Sequence, residues 1–225
     1  MNNNYTPRLT LKQRFQHHKY AKLERELKPL CKWVDFYDYL WSYGSIDWKE
    51  KNVLDIGADI GSSAMFFLMN KAHYVYLLES EQEYKTTYES IKQKYSILKN
   101  SVMLNGTKDI KDIYVSILKM DCEGCEQELL TEDLLNRANE FIVGLHKPQL
   151  DDYQFKQKMK LLEKHGGEYF GNVNGGEFVW IKKYSTDAFC NIERGCRKQC
   201  NAHARHNTQG GGLEQQLDSG FVQRL

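Results

Sequence analysis

Residues 52–63 read Asn52-Val53-Leu54-Asp55-Ile56-Gly57-Ala58-Asp59-Ile60-Gly61-Ser62-Ser63, an apolar run that empties into a glycine-punctuated turn and then a helix. Val53, Leu54 and Ile56 carry strand character. Gly57 and Gly61 remove side chains where the backbone must turn tightly and approach a ligand. Ser62 or Ser63 is placed to cap the helix that follows. A strand, a glycine turn and a helix in this order form a cradle for a nucleotide-like ligand. The spacing is G-x-x-x-G, however, whereas a dinucleotide site uses G-x-G-x-x-G and seats a pyrophosphate on the helix N-terminus. Asp59 occupies the turn. A carboxylate there repels pyrophosphate and suits a ligand with ammonium or sulfonium charge, which favours S-adenosylmethionine over NAD as cofactor.

Outward from this turn, strand and helix patterns alternate. Residues 32–43 crowd Trp33, Val34, Phe36, Tyr37, Tyr39 and Leu40 at helical spacing, a helix expected to pack beside the first strand. Downstream the expected elements are a helix over 62–70, a strand over 74–78, a helix over 81–95 and a short strand over 101–104. A strand over 115–120, a helix over 126–135, a strand over 141–145 and a helix over 153–165 follow. The alternation predicts an α/β, Rossmann-like fold, mostly parallel with helices on both faces. Residues 168–172 and 178–181 flank Asn174-Gly175-Gly176, the signature of an antiparallel hairpin closing the sheet. Only ten residues, 105–114, separate the third and fourth strands, so the crossover helix there is expected to be vestigial or absent.

The 225 residues, 41% hydrophobic and 27% charged, suffice for one globular domain with extensions. Residues 1–50 read as a basic helical extension, 51–183 as the catalytic domain, and 184–225 as a polar tail expected to be disordered. The longest apolar run, 64–69, is far short of a bilayer span, and the first thirty residues lack an apolar signal core, so the expectation is a cytoplasmic protein without a membrane partner. The six cysteines are expected to be free thiols, Cys122 and Cys125 among them, rather than a disulfide framework. Cys196, Cys200, His203 and His206 in the tail match no known zinc spacing, and no metal site is assigned. Net charge is +1, but residues 1–32 hold eight bases against two acids, a solvated helical face or an arm for an anionic partner.

In an open parallel sheet, ligands bind outside the carboxyl ends of the strands, and three strand ends here carry acids. Asp55 and Asp59 close the first strand and its turn, Glu79 closes the second, and Asp121 closes the fourth. Glu79 stands 24 positions after Asp55, the distance at which a nucleoside fold places an acid to hold both ribose hydroxyls. Asp121-Cys122-Glu123-Gly124-Cys125-Glu126 puts three carboxylates within six residues, so one could be raised to serve as a base near neutral pH, although Glu126 could simply start the next helix. His146, after the fifth strand, would point into the same cleft and could shuttle a proton. Tyr153, Phe155, Tyr169 and Phe170 are candidates for an acceptor pocket or for packing.

The stretches VLDIGADIGSSA, YLLES, LKMDCEGCEQELL and FIVGLHKP, together spanning 52–182, resemble the successive motifs of the FkbM-type family of S-adenosylmethionine-dependent methyltransferases. The D-x-E-G-x-E element is the specific part. The resemblance implies a class I methyltransferase sheet and transfer of a methyl group to an oxygen of a small molecule or glycan. It implies cofactor contacts from Asp55, Gly57, Gly61 and Glu79, joined by Asp59 in the turn, and a reaction side lined by Asp121, Glu123 and Glu126. Three positions depart from the family pattern: Asp59 for Asn, Ser80 for Pro, and Gly144 where a Glu commonly precedes the histidine by two. A non-catalytic binding protein on a degenerate methyltransferase scaffold is the alternative. A nucleotide-dependent oxidoreductase fails on the turn, and nucleic acid is disfavoured because the acids would repel phosphates.

Overall fold

The computed structural model describes residues 10–173 and 177–183. Of the two units into which the chain divides, 1–184 and 185–225, the second lies outside the described residues, and so do the tail's cysteines and histidines, its expected disorder and the Asn174-Gly175-Gly176 turn.

The helices are α1 (Leu11–Leu27), α2 (Phe36–Tyr43), α3 (Ser62–Met69), α4 (Gln82–Lys94), α5 (Glu126–Leu129), α6 (Glu132–Asn136) and α7 (Asp152–Lys164). The strands are β1 (Asn52–Ile56), β2 (Tyr74–Leu78), β3 (Ser101–Met103), β4 (Val115–Met120), β5 (Ala138–His146), β6 (Glu168–Val173) and β7 (Glu177–Lys182). They form one seven-stranded sheet in the order β3-β2-β1-β4-β5-β7-β6. The first five strands in that order pair parallel, and β7 pairs antiparallel with both β5 and β6. The predicted mixed sheet, its closing hairpin and the shortened crossover are all present, a single 3-10 turn at Thr107–Ile110 standing between β3 and β4.

Alternation along the strands builds two cores. Val53, Val75, Ile117, Ile142 and Val179 point to one face, and Leu54, Ile56, Leu118, Met120 and Val143 to the other. The first face is covered by aromatic packing. Tyr20 of α1 stacks on Phe36 with ring centroids 5.2 Å apart, and Trp48 stacks on Phe67 of α3 at 4.2 Å. The N-terminal helices therefore share a core with α3, which is buried on nearly every side. On the second face, α5, α6 and α7 cover Phe141, Leu145 and Trp180.

Three local expectations are corrected. Ser62 and Ser63 do not cap α3: Gly61, in the left-handed region at φ 81°, is the capping residue, and both serines lie inside the helix facing side chains of neighbouring elements. The helix expected over 126–135 is broken, because Leu130 turns extended and the Thr131 hydroxyl accepts from the Leu134 N–H to start α6. Cys122 and Cys125 are joined by a disulfide. Glu123 and Gly124, at φ 48° and 122°, fold the segment into a turn that brings the two Cα atoms to 5.5 Å. Cys31 is a free buried thiol.

Candidate active site

The strand order reverses between β1 and β4, and a cavity of about 1000 Å³ opens at the carboxyl ends of the strands there. The backbone itself ties this end together. The Gly57 N–H donates to the Leu78 carbonyl and the Asp121 N–H to the Ile56 carbonyl, both at 3.0 Å. A Cβ on Gly57, whose φ is 76°, would run into the Asp121 carbonyl, so only glycine lets the turn lie this close to the end of β4.

Beneath the turn is a buried ion pair. Lys119 Nζ lies 2.9 Å from Asp55 Oδ1 and donates to the Gly57 carbonyl at 2.7 Å. Ser63 Oγ donates to the other Asp55 oxygen at 2.5 Å. Burial raises the Asp55 carboxyl above its ordinary value even against Lys119 and Ser63. Burial alone would lower Lys119, yet Asp55 and Asp121 on either side hold its ammonium above the usual lysine range. Asp55 is thus fully enclosed as a support for the turn, Gly61 packs on the Tyr88 ring, and neither lines the cavity.

Gly57, Asp59 and Glu79 do line it. Glu79 Oε1 accepts from the N–H groups of Ser80 and Glu81 at 2.6 and 2.9 Å, and Oε2 from the Asp59 N–H at 2.9 Å. Backbone donors thus fix both oxygens at the cavity edge: Oε1, which the Ser80 hydroxyl also reaches at 3.3 Å, is filled, and Oε2 keeps acceptor capacity. Asp59 sits at φ 47°, a conformation Asp and Asn tolerate best among larger residues. Its carboxyl is pushed up to about 7, first by burial and then by Glu79, Asp121 and Asp55, with Lys119 opposing them. Asn105, Gly106 and Thr107 form a further part of the wall.

The opposite side holds the second cluster. His146 Nδ1 donates to Glu126, whose other oxygen accepts from the Gly124 N–H at 2.6 Å, while Nε2 faces Asp121 Oδ1 at 3.4 Å. The Tyr43 hydroxyl points at Asp121 Oδ2, also at 3.4 Å. Burial works against charge on both partners, yet the His146 hydrogen bond and Lys119 hold Asp121 below the usual carboxylate range, and Asp121 and Glu126 push the imidazole up to about 10. Glu123 is on the wall, while Glu126 is fully buried behind His146.

Three residues at the site were given no role by the motifs. Lys119 carries a visible signal, a lone lysine inside the apolar strand Val115–Met120. Tyr43 was legible only as packing. Glu177, pushed up to about 8 by burial and then by Asp121, reaches the cluster because β7 pairs with β5, setting Glu177 opposite His146. Nothing local in the sequence marks it. The aromatics of the wall are Trp33, Tyr39, Tyr43 and Tyr84 from α2, its approach and α4; Tyr153, Phe155, Tyr169 and Phe170, candidates for an acceptor pocket or for packing, do not line it. Phe155 packs on Phe178 and Trp180 on the second face, and Tyr153 is exposed.

The sheet order, the antiparallel last strand and the cleft at the β1/β4 reversal define the Rossmann-like class I methyltransferase fold. Solved structures with this fold include an O-methyltransferase from Bacillus cereus in complex with SAH, at TM-score 0.55 and 14% identity over 78% of this chain and 90% of that one. An inferred O-methyltransferase from Klebsiella pneumoniae aligns at TM-score 0.56 and 10% identity over 73% and 89%. No protein-family model matches the chain. In sequence it is 34% identical over 140 residues to Uncharacterized protein 65 of Sulfolobus islandicus filamentous virus, covering 61% of this chain and 82% of that protein, and it belongs to that protein's family. Uncharacterized protein 158B of Sulfolobus islandicus rod-shaped virus 1 is 29% identical over 155 residues, 68% of this chain and 92% of that protein.

Proposed function

We propose that the chain is an S-adenosylmethionine-dependent methyltransferase that methylates a hydroxyl of a small molecule or glycan, with an FkbM-type arrangement of site residues. The observation that carries this reading is Glu79, held by three backbone N–H groups at the edge of a cavity whose far side presents Asp121 and His146. A carboxylate fixed in this way keeps Oε2 free to accept from a ribose hydroxyl at the cavity edge.

The residues present fit the cofactor. The turn at Gly57 leaves no room for a side chain, and the acids that line the cavity, Asp59, Glu79 and Asp121 among them, outnumber Lys85 and Lys119. That balance suits a sulfonium and opposes a pyrophosphate. When bound, S-adenosylmethionine supplies an electrophilic methyl group whose C–S bond breaks as the new C–O bond forms. In this reading Gly57, Asp59 and Glu79 hold the cofactor, and Asp55 and Gly61 shape the turn from below. Asp121 and Glu123 face the acceptor. Asp121 takes the hydroxyl proton as the C–O bond forms, His146 orients its carboxylate, and Glu126 fixes the imidazole. Trp33, Tyr39 and Tyr84 form the apolar part of the wall, suited to a ring-bearing acceptor. The O-methyltransferase structures with the same fold support an oxygen acceptor.

Calorimetric titration with S-adenosylmethionine tests the reading. Micromolar binding is expected, abolished in Glu79→Ala and weakened at least tenfold in Glu79→Gln, which keeps the size of the side chain. Absence of binding to the wild type would overturn the methyltransferase reading in favour of a scaffold that binds something else.

A further inference from the structure

The methyl-transfer reading assigns Asp121 and His146 but leaves Glu177 without a role, and with Glu177 these two side chains form a second arrangement. Asp121, His146 and Glu177 each offer one ligand atom, and these atoms all lie within 4.8 Å of one another. They come from three separate elements: the end of β4, the end of β5 and the start of β7. We propose that these three side chains form a binding site for a single divalent transition-metal ion, of the Mn²⁺, Co²⁺ or Zn²⁺ kind.

Three features of the surroundings separate this cluster from a chance gathering of acids. First, His146 is oriented as a ligand. Its Nδ1 is occupied by the fully buried Glu126, which is itself held by the Gly124 N–H, so Nε2 is the nitrogen turned to Asp121 and the cavity. A carboxylate behind the imidazole is the usual way a histidine ligand is fixed in tautomer and direction, and the ion binds by displacing the Nε2 proton to solvent. Second, room has been made for Glu177. A Cβ on Gly144 would collide with its carboxylate, so a glycine on β5 is what allows the Glu177 side chain to cross its neighbour and arrive here. Third, the Glu177 carboxylate has no hydrogen-bond or ion-pair partner among the described residues, although it is partly buried and stands close to Asp121.

The donor set narrows the ion. One imidazole with two carboxylates suits borderline ions such as Zn²⁺, Mn²⁺ and Co²⁺, whereas Mg²⁺ and Ca²⁺ take oxygen alone. Three protein ligands leave positions open on the cavity side. An acceptor oxygen could occupy one of them, a role that rests on the methyltransferase reading; the ion site itself does not.

The test uses the full chain, stripped with chelator and titrated separately with Co²⁺, Zn²⁺ and Mn²⁺, with bound metal counted after equilibrium dialysis and the visible absorption of the Co²⁺ form recorded. One equivalent binding at micromolar or tighter affinity is expected, with a Co²⁺ spectrum that contains a nitrogen ligand. Glu177→Gln and His146→Gln should each weaken it by roughly tenfold to a hundredfold. Replacing Cys196, Cys200, His203 and His206 together by alanine should leave that equivalent intact. Wild-type stoichiometry and affinity in Glu177→Gln, loss of the equivalent in the tail variant, or no binding at all would overturn the site. S-adenosylmethionine titrated into the same metal-free protein separates the two ideas. Cofactor binding without metal binding refutes the ion site alone, and metal binding without cofactor binding refutes the methyltransferase reading alone.

Discussion

At the scale of the residue, the site is governed by how few cations face so many acids. Lys119 is the hinge of that balance, because it is buried and its partner Asp55 has no access to water. Removing one member of a buried pair leaves the other uncompensated and typically costs about 3–5 kcal/mol. Lys119→Met is expected to lose about that much at pH 8 by chemical denaturation. Because a carboxyl already raised in the folded state is destabilising only where it is ionised, the loss should shrink as pH falls towards 5. Asp59 poses the complementary case. Its folded value of about 7 lies above the unfolded one, so its contribution is neutral near pH 4 and turns increasingly destabilising up to pH 7, where it becomes charged. That same charge is what would attract a sulfonium. Asp59→Asn keeps a residue that tolerates the left-handed turn. It should stabilise the protein by about 1–2 kcal/mol at pH 8. It should also remove a rise in S-adenosylmethionine affinity of roughly fivefold between pH 6 and 8. Parallel denaturation and calorimetry at the two pH values check both; a variant whose affinity still rises with pH would show that Asp59 is not the titrating group.

At the scale of the element, β2 and β4 were legible to the residue, because each is a short apolar run that ends at an acid. The two helical stretches with a clear 3.6-residue period, α4 and α7, were legible to within a residue or two. The break between α5 and α6 was not, since Glu126–Leu135 has a helical period throughout and the interruption comes from Thr131 capping in competition with it. The site divides along the same line. Asp59, Glu79, Asp121 and His146 end strands or follow them in the turn, and a rule about strand ends finds them. Glu177 begins a strand, and enters the site only through the antiparallel register of β7 on β5, which no local pattern encodes. The disulfide was hidden for a similar reason: a C-x-x-C pair reads the same whether its turn bends or extends, and the positive φ of Glu123 and Gly124 decides it.

At the scale of the whole molecule, the basic N-terminal segment is not a detachable arm. Tyr20 and Leu27 of α1 are buried against Phe36 and Phe66 in the core that also holds α3, and α3 carries the Ser63 that supports Asp55. Deleting residues 1–32 removes that layer. The expected cost is on the order of 5 kcal/mol from two large core side chains, or roughly 10–20 °C in Tm for a chain of this size. A thermal melt unchanged by the deletion would show that the layer is dispensable, and loss of nucleic-acid binding in such a truncation would say nothing about the basic face itself. The same layered construction bears on how the family's chains change over generations. Gly144 and Glu177 are distant in sequence and adjacent in space, and the carboxylate supplied by one is admitted only by the emptiness of the other. Selection on either position is therefore selection on both: any side chain at 144 requires the Glu177 carboxylate to move away, although no motif drawn along the chain connects the two.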